Sequence, residues 1–134
     1  MQTMAKLAVR WLIGIGFLVL GQQVYANGIV VTNAALWNQN LSQKSVHVSF
    51  DISWSNSWRT ALNWDAAWVF VKFRAPGSNN WQHATLSTNN AEHMPSGGSV
   101  VNTTPDGKGA FLYSAANATG SVTYTRMRLR WNYG

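Results

Sequence analysis

Apolar and polar residues alternate over long stretches of this chain. Between Val46 and Trp54 every second residue is apolar, and the residues between them, such as His47 and Asp51, are polar. A period of two places the apolar side chains on one face of a strand and the polar ones on the other. The pattern therefore predicts a half-buried β-strand over residues 46–54.

The same alternation runs through residues 122–133, which we predict to be the longest strand. Four apolar side chains of this segment should face the core: Met127, Leu129, Trp131 and Tyr133. Three basic side chains should face outward: Arg126, Arg128 and Arg130. One apolar and one charged face are typical of a strand in a sheet that packs on the core with one side and faces solvent with the other.

Residues 66–74 are more continuously apolar, which predicts a central strand covered on both faces. Lys72 and Arg74 mark the end at which this strand reaches the solvent. Turn-forming residues 76–80 then lead to residues 81–86, which indicates a hairpin with a long loop. Residues 89–98 should be a loop, because Pro95 and two glycines interrupt them.

Three further short strands are predicted at residues 29–32, 100–103 and 110–114. Asp106 and Gly107 suit the tight turn between the last two, and residues 115–120 suit a second turn. Seven short strands without a helical stretch predict an all-β fold. We expect an antiparallel β-sandwich, jelly-roll or immunoglobulin-like, formed by a single domain over residues 27–134.

Residues 1–26 have the features of a secretory signal peptide. Lys6 and Arg10 precede an uncharged apolar run over residues 11–21, and Val24 and Ala26 provide the small residues of a cleavage site. The alternative is an uncleaved anchor, but the run is far shorter than the ~20 apolar residues of a spanning helix. We expect cleavage after Ala26, no membrane span afterwards, and export to the periplasm, cell surface or medium.

Composition narrows the classes of function. The 134 residues include no cysteine, 13% are aromatic and only 10% are charged. High aromatic and low charged content argues against disorder. A chain without cysteine cannot form disulfides, thiolate metal sites or a thiol nucleophile, and suits a bacterial envelope or extracellular protein.

Residues that could perform catalysis are scattered. The acidic side chains after residue 26 are Asp51, Asp65, Glu92 and Asp106. They fall in different predicted elements, whereas glycoside hydrolysis needs two carboxylates at one bond. The histidines are His47, His83 and His93, and they lack the spacing of a metal pair. We therefore predict no catalytic residue, no metal site and no cofactor.

Asp65 lies at a junction between a loop and a strand, close to two tryptophans, Trp64 and Trp68. Its carboxylate could contribute to a ligand site. Alternatively, it could accept backbone N–H bonds or pair with Arg59, and loop aspartates commonly serve such structural roles.

The arginines at 126, 128 and 130 could together bind anionic groups of a glycan or a nucleic acid. Export disfavours nucleic acid as the partner. Basic residues on the outer face of a strand also act simply as solubilising groups that prevent aggregation, and both interpretations stay open.

Seven tryptophans follow residue 26, and six of them, all except Trp37, fall into two predicted groups. Trp54, Trp68 and Trp131 occupy strand faces and are expected in the core. The others that bear on function lie near strand ends or in loops: Trp58, Trp64 and Trp81. Indole rings in such positions stack on sugar rings, so these three are candidates for carbohydrate binding.

Five ordered segments together resemble a known kind of protein. They are residues 57–60 (SWRT), 63–73 (NWDAAWVFVKF), 81–86 (WQHATL), 106–109 (DGKG) and 129–134 (LRWNYG). The chain resembles the N-terminal β-rich module of secreted bacterial proteins, notably from Bacteroidetes-like organisms, in which a domain similar to formylglycine-generating enzyme (sulfatase-modifying factor) follows. That following domain is not contained in these residues.

The resemblance implies a non-catalytic exported module, the accessory or binding part of a larger protein similar to formylglycine-generating enzyme. Its partner would be the adjoining domain or a glycan. The alternative is a stand-alone carbohydrate-binding module that uses Trp58, Trp64 and Trp81. A third hypothesis, an enzyme in its own right, has the least support from the residues.

Overall fold

A computed structural model describes residues 28–134, so the predicted signal peptide over residues 1–26 lies outside the described residues. Nine strands and one short 3-10 helix, Asn90–Glu92, make up the described chain. The strands are β1 Val30–Asn40, β2 Ser45–Arg59, β3 Ala67–Val69, β4 Lys72–Phe73, β5 Gln82–His83, β6 Thr85–Leu86, β7 Ser99–Thr103, β8 Ala110–Ser114 and β9 Ala118–Asn132. No helix among residues 28–134 is long and apolar enough to cross a membrane.

All strand pairs are antiparallel, which confirms the all-β prediction at this level. A four-stranded sheet has the order β1-β2-β9-β6, and a three-stranded sheet has the order β3-β8-β7. The third sheet is the two-stranded pair β4-β5. The long strands β2 and β9 pair from Ser45 opposite Asn132 to Arg59 opposite Ala118, and they are the two central strands of the larger sheet.

The predicted alternation in β2 and β9 is confirmed by burial. Phe50, Ile52 and Trp54 point inward from β2, and Met127 and Leu129 point inward from β9. Tyr124 of β9 belongs to the same cluster, and the three-stranded sheet and β6 add its other buried members: Ala67, Leu86, Val101, Ala110 and Leu112. One hydrophobic cluster is therefore shared by the four-stranded and three-stranded sheets, and its burial supplies the main stabilisation of the fold.

The prediction of a central strand covered on both faces at residues 66–74 is wrong. The segment forms two short strands, and β3 lies at the edge of its sheet. Ala67 is buried, but Trp68 is 42% exposed and Phe70 is 47% exposed. Ala67, Val69 and Val71 pack on the core side. Trp68 and Phe70 alternate with them and face outward, so hydrophobicity alone gave the wrong face for Trp68.

Two other predictions need correction. The segment 81–86 is not one strand, because β5 pairs with β4 whereas β6 pairs with the end of β9. The predicted hairpin is thus confirmed only for β4 and β5. Tyr133 was predicted to face the core but is 36% exposed, and it lies just after the end of β9 at Asn132.

The predicted tight turn between β7 and β8 is confirmed. Gly107 has a φ of +67°, and a Cβ there would lie 2.6 Å from the carbonyl oxygen of Leu86. The amide of Leu86 donates to the Gly107 carbonyl at 2.8 Å. Glycine is required both for the left-handed backbone and for this close approach to β6.

Candidate functional site

The loop between β2 and β3 is held by the carboxylate of Asp65. One oxygen, Oδ2, accepts the indole N–H of Trp54 at 2.9 Å. The other, Oδ1, accepts the hydroxyl of Ser57 at 2.9 Å and the backbone N–H of Trp58 at 3.0 Å. The backbone N–H of Asp65 in turn donates to the Trp58 carbonyl at 3.1 Å. All these bonds are within the chain, so the carboxylate positions the loop and its tryptophans.

Trp58 and Trp64 are brought together by this loop. Trp58 is 42% exposed and Trp64 is 44% exposed, and the two rings line a shallow concavity with Leu62 and Asn63. A tight turn that begins at Thr60 shapes the loop, because its hydroxyl accepts the amides of Leu62 and Asn63. Two of the three tryptophans predicted for sugar binding therefore share one surface.

Arg59 reaches across this surface rather than to Asp65. Its guanidinium lies 4.5 Å from the centre of the Trp64 ring and donates to the Ser114 carbonyl at 2.8 Å. Trp64 also stacks on Tyr113 of β8, with ring centres 5.6 Å apart. The Arg59 cation and the Tyr113 ring make Trp64 a fixed part of the surface, since stacking and cation–π contacts restrict its rotamer.

A second ring pair continues the surface. Trp68 of β3 lies opposite Phe111 of β8, with ring centres 4.8 Å apart, and each ring is 42% exposed. Gly109 lies directly beneath the Trp68 ring, which leaves no room for a Cβ at that position. Phe111 and Tyr113 lie on one face of β8, about 7 Å apart, because they are two residues apart in a strand.

We call the exposed surface formed by Trp64, Trp68, Phe111 and Tyr113 the outer aromatic face. Sequence reasoning missed Trp68, Phe111 and Tyr113. A signal was present, because in Ala67–Val69 and Ala110–Ser114 the residues that alternate with the aromatics are small or aliphatic. Aliphatic side chains can fill the space between sheets as fully as aromatic ones, which leaves the aromatic positions on the outside.

Trp81 does not join this face. It is 63% exposed, and the guanidinium of Arg74 lies 5.6 Å from its ring centre. Trp81 is followed by β5, which lies beside Trp131 near the end of β9. Trp58 is instead paired with Thr119 near the start of β9. Thr119 and Trp131 are twelve residues apart, which corresponds to about 40 Å of strand. The three predicted tryptophans therefore do not form one site.

The three arginines of β9 have different environments. Arg126 is exposed and has a φ of 56°, and its amide donates to Asp51 at 2.7 Å. This bond and one from the Asn33 side chain hold the pKa of Asp51 below its usual value. The guanidinium of Arg128 lies 3.9 Å from the ring centre of Trp37. The guanidinium of Arg128 is therefore engaged with an indole ring, whereas the bond of Arg126 to Asp51 uses its backbone amide.

Arg130 is the most engaged of the three. Its guanidinium pairs with Glu92 at 3.4 Å and donates to Gln43 and Asn132, both at 3.2 Å. An ion pair and two amide oxygens fix the side chain on the surface of the sheet. The ladder is therefore not a row of three free cations.

His93 was predicted in a loop but is only 4% exposed. Its Nδ1 accepts the amide of Arg130 at 3.0 Å, while Nε2 lies 3.0 Å from the Ser87 carbonyl and 2.8 Å from the Thr103 hydroxyl. Burial is the main cause that lowers the pKa of His93. A neutral ring satisfies both nitrogens, so His93 connects the loop to β9.

Within residues 28–134 no three side chains of metal-ligating type are close enough to hold an ion. Comparison of the chain with family models, with curated proteins and with solved structures gives no match.

Proposed function

We propose that this chain is an exported, non-catalytic binding module with a β-sandwich architecture. Its outer aromatic face would be the binding surface. The observation that carries the proposal is the exposure of Trp64 and Trp68 as parts of two fixed ring pairs. Covering large exposed aromatic side chains with a partner removes apolar surface from water, which favours binding. Rings that are already ordered lose little conformational entropy when the partner binds.

The sandwich proposal is supported by the shared core. Ile52 and Met127 of the four-stranded sheet belong to the same buried cluster as Leu112 and Val101 of the three-stranded sheet. Side chains from two sheets that interdigitate in one core are typical of sandwiches.

The non-catalytic part of the proposal is supported by the bonds of the carboxylates. Asp65 and Asp51 accept the bonds described above. Glu92 accepts the Ser87 hydroxyl at 2.6 Å, and Asp106 accepts the Thr104 hydroxyl at 2.6 Å and the Lys108 amide at 3.1 Å. Each acidic side chain thus has a structural role: Asp51 connects β2 to β1 and β9, and the others stabilise loops or turns. A general acid or base needs instead a proton-transfer position facing a substrate.

The adjoining domain is the partner that the sequence resemblance favours. Three of the segments that carry it, residues 57–60, 63–73 and 106–109, supply Arg59, Trp64, Trp68 and Gly109 to the outer aromatic face or its support. We propose that this face contacts a following domain similar to formylglycine-generating enzyme. Sequencing the gene beyond the codon for Gly134 tests the proposal: such a domain supports it, and unrelated sequence contradicts it.

Carbohydrate is the second candidate partner. The concavity between Trp58 and Trp64 favours it, because an open indole face next to an amide such as Asn63 suits a sugar ring. A glycan array separates the two candidates. Binding that is lost in Trp64→Ala and kept in Trp81→Ala would support carbohydrate, whereas no binding to any glycan would reject it.

A further inference from the structure

Among residues 28–134, the inner side of the four-stranded sheet is only partly covered at its β1 edge. Leu36 is paired with Val48 and Val31 with Ile52, and residues directly opposite in a sheet point to the same face. Leu36 and Val31 therefore point toward the core side. They are nevertheless 66% and 51% exposed. Apolar side chains that face the interior and remain half exposed indicate a place for another segment.

Three neighbouring cavities follow this edge, between β1 and the chain from residue 69 to residue 76. Their volumes are about 250, 270 and 600 Å³. The first two share Ala34 and Val48, and the last two share Leu36 and Phe73. They form one continuous apolar channel, which we call the edge groove.

The charges along the edge groove have one sign. Among the described residues that line its three cavities, the only charged side chains are Lys72 and Arg74. β1 itself, Val30–Asn40, contains no charged residue. An occupant that complements this groove is apolar where it enters the cavities and acidic where it passes the two cations.

The length of the groove fits an extended chain. From Val31 to Gln39 it follows about 26 Å of strand, and alternate side chains of an added strand would enter it about 6.6 Å apart. β1 has no neighbour on its outer side among the described strands. Asn33 and Asn38 have positive φ and interrupt its register, so backbone pairing would be concentrated between them, at residues 34–37.

From these features we propose that the edge groove binds an extended peptide segment of a partner protein. The segment is apolar at alternate positions and acidic beside them, and it adds a strand next to β1. A second copy of this chain fits less well, because its own β1 has no acidic side chain to meet Lys72 and Arg74. The proposal does not depend on the outer aromatic face.

The test uses the purified protein and a fluorescent peptide of alternating valine and threonine flanked by glutamates, measured by anisotropy. We expect this peptide to bind at least about tenfold more tightly than one with lysine flanks, a difference of about 1.4 kcal/mol. A Lys72→Glu, Arg74→Glu double variant should reverse that preference. Replacing the valines by serine should abolish binding.

Two variants separate the groove from other apolar surface. Leu36→Asp should abolish binding, and the control Leu41→Asp, at a leucine that is 75% exposed in the turn between β1 and β2 and lines none of the three cavities, should not change it. Urea unfolding must show both variants folded. Equal affinity for both peptides, no binding of either, or binding that survives Leu36→Asp would overturn the proposal. Dimerisation in sedimentation velocity that Leu36→Asp removes would identify a second copy as the occupant and also overturn it.

Discussion

The indole N–H of Trp54 donates to Oδ2 of Asp65 at 2.9 Å, and this bond joins the buried core at β2 to the loop that leads to the exposed tryptophans Trp64 and Trp68. Trp54 is 3% exposed, so the donor would have no water to replace the carboxylate. The bond therefore links the stability of the core to the geometry of the outer aromatic face.

Asp65→Ala should lower the free energy of unfolding by about 3 kcal/mol, because three donors lose their acceptor and two of them, on Trp54 and Ser57, are buried. Urea denaturation measures the loss. Asp106→Ala is the matched control, since it removes an exposed turn carboxylate and should cost about 1 kcal/mol or less. Equal losses for the two variants would contradict the structural role of Asp65.

The buried position of His93 predicts a dependence of stability on pH. Its pKa in the folded protein is lowered, whereas in the unfolded chain it is about 6.5. As the pH falls, the unfolded chain binds the proton first. The stabilisation is therefore complete above about pH 6.5 and decreases below it.

Unfolding titrations between pH 8 and pH 5 measure this effect. His93→Gln should be less stable than the natural protein at pH 8, because the amide cannot satisfy all three partners, and its stability should change less over this range. A parallel decrease for both proteins would show that another group causes the dependence.

The positions of the tryptophans predict unequal effects of truncation. Trp54→Ala should cost about 3–5 kcal/mol, as is usual for a large buried aromatic residue. Trp68→Ala should cost only about 1–2 kcal/mol, because the ring is 42% exposed and loses mainly its contact with Phe111. Chemical denaturation of the two variants would contradict the assignment if Trp68→Ala were the more damaging.

The alternating segments were predictable because burial on one face imposes a period of two. This worked for Phe50 and Ile52 in β2 and for Met127 and Leu129 in β9. It failed for Trp68, because both faces of that segment are apolar and only the neighbouring strand decides which face is inside. The burial of His93 could not be predicted from sequence either, since its partners Ser87, Thr103 and Arg130 lie in three separate segments that only the folded chain brings together.

Export predicts that the mature protein begins at Asn27. Intact mass of the protein recovered from the envelope or medium should correspond to residues 27–134. A mass that includes the first 26 residues, with the protein retained in membranes, would contradict the signal-peptide assignment.

Hydroxyl-radical footprinting, on the protein in its native envelope or medium and again after purification, measures directly whether the outer aromatic face is covered by a partner. Trp64 and Trp68 should be protected in the native setting and reactive once purified. Trp81, which is 63% exposed away from that face, should react equally in both and serves as the internal control. Equal reactivity of Trp64 and Trp68 in the two preparations would contradict a binding function for this face.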